Sequence, residues 1–188
     1  MNNTLFIYDF DDTLVFSGAV VHITHADGSK ESLESHEFAT YQEQPGDQFD
    51  YSEFDTYPPD GKIIKRTFKK MLETISIYGA NNVIVLSARS NPTPMKQFLS
   101  DHGLSSNVEI VGVGSSNPQD KASFVEKKLK SGNWDSVEIF EDSIANINAI
   151  GSMISSKYPH ITYIKNHIQA EGLLRKTIYN LLKELFCL

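Results

Sequence analysis

Three carboxylates, Asp9, Asp11 and Asp12, crowd into four positions directly after the apolar run Leu5-Phe6-Ile7-Tyr8. Like charges at that spacing repel unless a cation compensates them. A hard divalent cation such as Mg²⁺ takes oxygen ligands and leaves room for a substrate phosphate. The place of the cluster, at the end of a first strand, fits that chemistry, because open α/β sheets bind ligands at the carboxyl ends of their strands. An acidic turn after an edge strand would use the same residue types, so the rest of the chain has to decide.

Three more polar sites follow apolar runs. Ser87 ends the run Val83-Ile84-Val85-Leu86, Lys121 follows the loop 114–118, and Glu141-Asp142 follows Val137 to Phe140. Carboxylates from the first and fourth strands could share one metal ion, with Ser87 and Lys121 holding a tetrahedral anion beside it. A cation, a hydroxyl donor and an ammonium around anionic oxygens is the layout phosphoryl transfer requires. Each residue also has a plainer use. Asp142 suits a helix N-cap, Glu141 a solvated strand end, and Ser87 a turn that hydrogen-bonds its own backbone. Lys121 lies at a helix start, where a cation opposes the macrodipole, so a purpose is implied. Arg89 suits a substrate phosphate or base, or equally a surface ion pair.

The elements that must place these residues read as follows. Short apolar runs at 5–8, 82–86, 108–113, 137–140 and 161–164 suit strands buried on both faces. Helical spacing marks 62–78, 94–102, 119–129, 144–154 and about 170–186. Strands and helices therefore alternate from residue 62 onward, the pattern of a doubly wound, mostly parallel sheet covered on both faces. Residues 15–61 break it. Asp27-Gly28 between 19–24 and 29–33 signals a hairpin, 34–41 reads as a short helix opened by Ser35, and 42–61 as an irregular insert. His22 and His25 read as surface residues on opposite sides of the hairpin. Tyr51, Phe54 and Tyr57 either cover the site or anchor the insert. Gly112-Val113-Gly114 lacks the third glycine of a dinucleotide loop.

Bulk properties exclude several classes. The 188 residues suggest one domain, 1–188, with the 15–61 segment inserted in it. The net charge of -7 argues against a protein that coats nucleic acid, though not against one that touches a terminal phosphate. The single cysteine, Cys187, reads as a small apolar residue and permits no disulfide within the chain, which fits a reducing cytoplasm. No signal peptide is expected before the first strand, and no run approaches the ~20 apolar residues of a membrane helix.

Taken together the motifs resemble those of the haloacid dehalogenase (HAD) superfamily of phosphatases. Asp9-Phe10-Asp11-Asp12-Thr13-Leu14 is similar to its first motif, Val83 to Ser87 to its second, Lys121 to its third, and Glu141-Asp142 with Asn146 to its acidic fourth. The resemblance covers residues 5 to about 147, and the whole chain is also similar to compact members encoded by bacteriophages. It implies a HAD-like Rossmannoid fold with residues 15–61 as a flap and small cap. It implies a Mg²⁺-dependent phosphomonoester hydrolase working through a phosphoaspartate, which the cysteine content above places in the cytoplasm. Asp9 would be the nucleophile and Asp11 the acid/base. Asp9, Asp142 and the Asp11 carbonyl would hold metal, Glu141 acting through a metal-bound water. Ser87 and Lys121 would face the phosphate, with Arg89, two residues beyond Ser87, the further substrate-binding candidate. Asp12 stands where many relatives carry Gly, and Asn146 where some carry an acid.

The expected substrate is a nucleotide or other small phosphomonoester. A polynucleotide 3′-end, in nucleic-acid end repair, is the second choice, and a catalytically silent HAD-like binding domain a third. A phosphoacceptor receiver module is disfavoured, because neither 83–87 nor 108–114 ends in the Asp it would need. No membrane partner is expected, and the oligomeric state is open.

Overall fold

The computed structural model describes residues 3–38, 40–104 and 107–169. The order of elements is β1 (Thr4–Tyr8), β2 (Val15–Phe16), β3 (Val20–Thr24), β4 (Lys30–Glu34), α1 (Ser35–Phe38), β5 (Gln48–Asp50), β6 (Lys62–Ile63), α2 (Lys65–Tyr78), β7 (Val83–Ser87), α3 (Pro92–Asp101), β8 (Glu109–Gly112), α4 (Pro118–Ser131), β9 (Ser136–Glu141), α5 (Ile144–Lys157) and β10 (Thr162–His167). Single turns of 3₁₀ helix occupy Ser52–Asp55 and Ala80–Asn82. The helix expected at 170–186, and Cys187, lie outside the described residues.

Five strands form one sheet in the order β10-β9-β1-β7-β8, and every pairing in it is parallel. All five residues of central β1 are buried. Because side chains alternate along a strand, Phe6 and Tyr8 face one side and pack with Phe68 and Met71 of α2 and Met95, Phe98 and Leu99 of α3. Leu5 and Ile7 face the other side, against Val125 and Leu129 of α4 and Ile150 and Ile154 of α5. The chain is thus an α/β, Rossmann-like fold with helices on both faces of its sheet. Burying each such side chain contributes about 1.5–3 kcal/mol, so the sheet is the rigid base for whatever its edge carries.

Residues 15–61 leave and return at one place. β2 pairs antiparallel with β6, Val15 opposite Ile63, and the Ile64 amide donates to the Leu14 carbonyl at 2.8 Å. Residues 62–63 are therefore strand, where helical spacing placed them in the helix. Ile63 and Ile64 satisfy either pattern, and the partner strand decides. Between these ends β4, β3 and β5 form a three-stranded antiparallel sheet. The hairpin expected around Asp27-Gly28 is present. The stretch read as irregular supplies β5, which pairs with β3.

Two helices begin earlier than expected, at Asn-Pro pairs. Asn91 Oδ1 accepts from the Thr93 amide at 3.0 Å, and Asn117 Oδ1 from the Gln119 amide at 3.1 Å. Proline in the first turn lacks an amide that would have no helical partner there. Among the described residues no helix is long and apolar enough to cross a membrane.

Candidate active site

The carboxyl edge of the three central strands gathers the polar residues. Tyr8 of β1 lies opposite Phe140 of β9 and Val85 of β7. Asp9 therefore emerges beside Glu141, the last residue of β9, while Ser87 ends β7. The Asp9 amide donates to the Phe140 carbonyl at 3.0 Å, which prolongs the pairing by one residue. The chain then turns sharply, with the Leu14 and Val15 amides both donating to the Phe10 carbonyl. Asp12, in that turn, has φ 57°. This left-handed conformation favours Gly, and Asp tolerates it better than most residues.

Lys121 reaches across from the first turn of α4 and is 2% exposed. Its ammonium donates to Asp9 Oδ1 at 2.5 Å and to Glu141 Oε2 at 2.9 Å. Burial opposes the charge on Lys121, but Asp9 and Glu141 outweigh it and hold the ammonium above its ordinary range. One ammonium does not balance the carboxylates around it. Burial, then Glu141, pushes Asp9 above the usual carboxylate range despite Lys121. Burial, then Asp9, Glu141 and Asp12, does the same to Asp142.

Glu141 is 1% exposed, so the reading of a solvated strand end is corrected. Its Oε1 accepts from the Ser143 amide and from Asn146 Nδ2, each at 3.2 Å. The N-cap of α5 is Ser143, whose Oγ accepts from the Asn146 amide at 3.4 Å. Asp142 is thereby released from the capping role its position suggested. Its carboxylate accepts instead from Thr13 Oγ1, at 3.5 Å. Its carbonyl accepts from His167 Nε2 at 2.9 Å.

Carboxylate oxygens of Asp9, Glu141 and Asp142 all lie within 4.8 Å of one another. Oxygens about 2.1 Å from a common Mg²⁺ would stand roughly 3–4.2 Å apart. Side-chain shifts of a few tenths of an ångström would close the difference. Hard oxygen donors, an excess of negative charge and burial that penalises it all suit a divalent cation.

The Asp11 carboxylate is not one of that trio and has its own partners. Arg89 Nε and Nη2 donate to its two oxygens, each at 2.8 Å, and Ser17 Oγ adds a bond to Oδ1 at 2.6 Å. Arg89 is 3% exposed, so the ion pair is buried, not at the surface. Its Nη1 donates to the Phe54 carbonyl at 2.6 Å, and its guanidinium lies between the Phe10 and Phe54 rings, 5.0 and 5.3 Å from their centroids. Arg89 therefore ties Asp11 to residues 15–61 instead of pointing alone at a ligand.

Ser87 Oγ accepts from the Arg89 amide at 3.2 Å, which leaves its hydroxyl hydrogen to donate elsewhere. The loop after it is stitched to the next strand, the Gly114 amide donating to the Arg89 carbonyl at 3.0 Å. A Cβ at Gly112 would stand 2.2 Å from that carbonyl. Gly112 thus serves a close backbone approach, and Gly114 a left-handed turn at φ 67°.

Asp9, Asp11, Ser87, Arg89, Lys121, Glu141 and Asp142 all line one cavity of about 780 Å³. Tyr51 and Phe54 line it too. Tyr57 does not. It packs on Phe98 at 5.5 Å and donates to Asp101 at 3.1 Å, which anchors the insert. His22 bonds Glu53 and Ser32, and His25 bonds Asp47, so each serves the insert's own structure. Sequence reasoning gave no role to Ser17, Thr13 or His167. Thr13 stood in the opening motif, and the other two carried no signal.

Comparison with protein-family models, with curated proteins and with solved structures yields no match for this chain.

Proposed function

We propose that the protein is a Mg²⁺-dependent phosphomonoester hydrolase of the HAD type, acting through an aspartyl-phosphate on Asp9, with residues 15–61 as its small cap. The observation that carries this reading is the meeting of Asp9, Glu141 and Asp142 oxygens, within 4.8 Å of one another, with the Lys121 ammonium at the carboxyl edge of a parallel sheet. Mg²⁺, held by Asp9, Asp142 and the Asp11 carbonyl, with Glu141 behind a water, would neutralise the phosphate and the nucleophile together.

Asp9 uses a carboxylate oxygen to attack phosphorus, and the bond from phosphorus to the ester oxygen breaks. Lys121 and the Ser87 hydroxyl face the phosphate oxygens, where charge spreads as the bond breaks. Asp11 gives a proton to the departing oxygen and then takes one from the water that attacks the phosphorus of the acyl phosphate. The phosphorus–Asp9 bond breaks, phosphate leaves and the carboxylate is restored. Arg89 and Ser17, bonded to the Asp11 oxygens, fix where that carboxyl points and must yield when it carries the proton.

The test is release of phosphate from an aryl phosphate. Turnover should require Mg²⁺ and should fall at least about 10³-fold in Asp9→Asn, since a nucleophile has no substitute. Turnover that persists in Asp9→Asn, or that needs no metal, would sink the mechanism.

A further inference from the structure

The residues that would handle phosphate occupy one wall of the cavity. Its volume, about 780 Å³, is that of a site for a ligand of drug size and far exceeds a bare phosphate. The insert lines another part of it with the apolar Val21, Phe38, Tyr51 and Phe54 and with Ser35 and Asp55. Phe38 and Tyr51 meet edge to face at 5.7 Å. Tyr41 and Phe49 do not line the cavity but hold these rings, with Phe49 5.5 Å from Phe38 and 6.2 Å from Tyr51. None of these insert aromatics is buried, and Tyr51 is 42% exposed. Contiguous apolar surface kept in contact with water is unfavourable and marks a place where something else docks. An aromatic face suits a flat ring, which it stacks without reading its edges.

Charge decides what carries the ring. Residues 15–61 contain ten Asp or Glu against one Lys and no Arg, so this segment alone is more negative than the whole chain at -7. A nucleic-acid strand would bring further phosphates up to that surface, within the ~8 Å over which charge acts at physiological salt. An uncharged ring brings none.

Resting on the phosphatase reading above, we propose that the substrate is a nucleoside monophosphate. Its phosphate lies at Asp9 and Lys121, its base stacks on the wall of Phe38 and Tyr51, and the acidic insert excludes polynucleotide ends.

The experiment compares KM for nucleoside monophosphates, ribose 5-phosphate and a 3′-phosphorylated oligonucleotide, in the wild type and Tyr51→Leu, with Mg²⁺ present. Stacking of one base predicts a KM lower for the nucleotide than for ribose 5-phosphate by about 5- to 150-fold. Tyr51→Leu should narrow that gap several-fold. Circular dichroism checks that this exposed position leaves the fold intact. Equal KM values, a gap unmoved in Tyr51→Leu, or preference for the oligonucleotide at physiological salt would overturn the proposal. Calorimetric titration of Asp9→Asn with the same ligands separates the two claims. Tighter binding of the nucleotide, without turnover of any phosphate by the wild type, would spare the aromatic subsite and remove the phosphatase reading. Equal binding would remove the subsite whatever the turnover.

Discussion

The five-stranded sheet and the insert at residues 15–61 are built by different forces. In the sheet, apolar side chains from both faces of β1 are sealed between helices, and Leu5, Ile7 and Tyr8 are at most 2% exposed. In the insert Val21 and Ile23 are also buried, but polar contacts do much of the rest. His22 pairs with Glu53, His25 with Asp47, and Tyr41 Oη donates to Asp47 at 2.6 Å. The His22–Glu53 pair is exposed on both sides, and such pairs are worth little, whereas buried apolar packing is close-fitting and stiff. The difference teaches a division of labour. The groups proposed to react sit on the close-packed part, and the aromatic rings proposed to hold a base sit on the insert. Arg89 joins the two, since it is buried, bonds both Asp11 oxygens and donates to the Phe54 carbonyl.

The largest expected break in that comparison is a cavity in the sheet. Ile7→Ala should cost roughly 2–5 kcal/mol, a fall in Tm of about 5–15 °C by calorimetry. Phe49→Ala in the insert should cost well under half as much, because its ring is only partly buried. Equal costs would mean that the insert carries as much stability as the sheet.

Next in size is the response to metal. Mg²⁺ at 100 times its dissociation constant should stabilise the wild type by about 2.7 kcal/mol, readable by thermal shift without any substrate. Asp142→Asn, which deletes one of the three clustered carboxylates, should lose most of that shift. An undiminished shift in Asp142→Asn would place the ion elsewhere.

Smaller again is the effect of Arg89→Met. If Arg89 positions Asp11, the loss should fall on substrates whose leaving oxygen needs a proton. The kcat for alkyl phosphates should drop about 10- to 100-fold further than for nitrophenyl phosphate, a part of the roughly 10²- to 10⁴-fold that acid catalysis supplies, since Asp11 itself remains. An equal loss on both would instead mean a phosphate contact.

The smallest effect concerns pH. The hydrogen bond to Asp47, aided by Glu31 and Asp27, raises the pKa of His25 above its ordinary value. That contribution is present in full below the unfolded pKa of about 6.5 and is lost as pH rises through the folded value. Hydrogen exchange around β3 and β5, corrected for intrinsic rates, should quicken between pH 6 and pH 8.5 in the wild type and not in His25→Gln.

Much of this arrangement was legible in the sequence, because apolar runs that end in polar residues announce strand ends. Asp9, Ser87, Lys121, Glu141 and Asp142 stand at the edge where that reasoning put them. What was hidden depended on partners far along the chain. The Arg89 contact with Asp11 spans 78 positions, and nothing local distinguishes a buried arginine from a surface one. β5 carries one apolar residue, Phe49, between Gln48 and Asp50, too little for a pattern. Asp142 and Ser143 are both good N-caps, so only the hydrogen bond from the Asn146 amide tells which of them caps α5.

The central claim is that Asp9 takes the phosphoryl group. The direct measurement is to mix the protein with an aryl phosphate and Mg²⁺, quench it in acid, reduce it with borohydride and sequence it by mass spectrometry. An acyl phosphate at Asp9 is reduced to the alcohol, so the account predicts homoserine at position 9, dependent on both substrate and metal. Turnover with Asp9 unaltered under these conditions, or with the modification on another carboxylate, would contradict it.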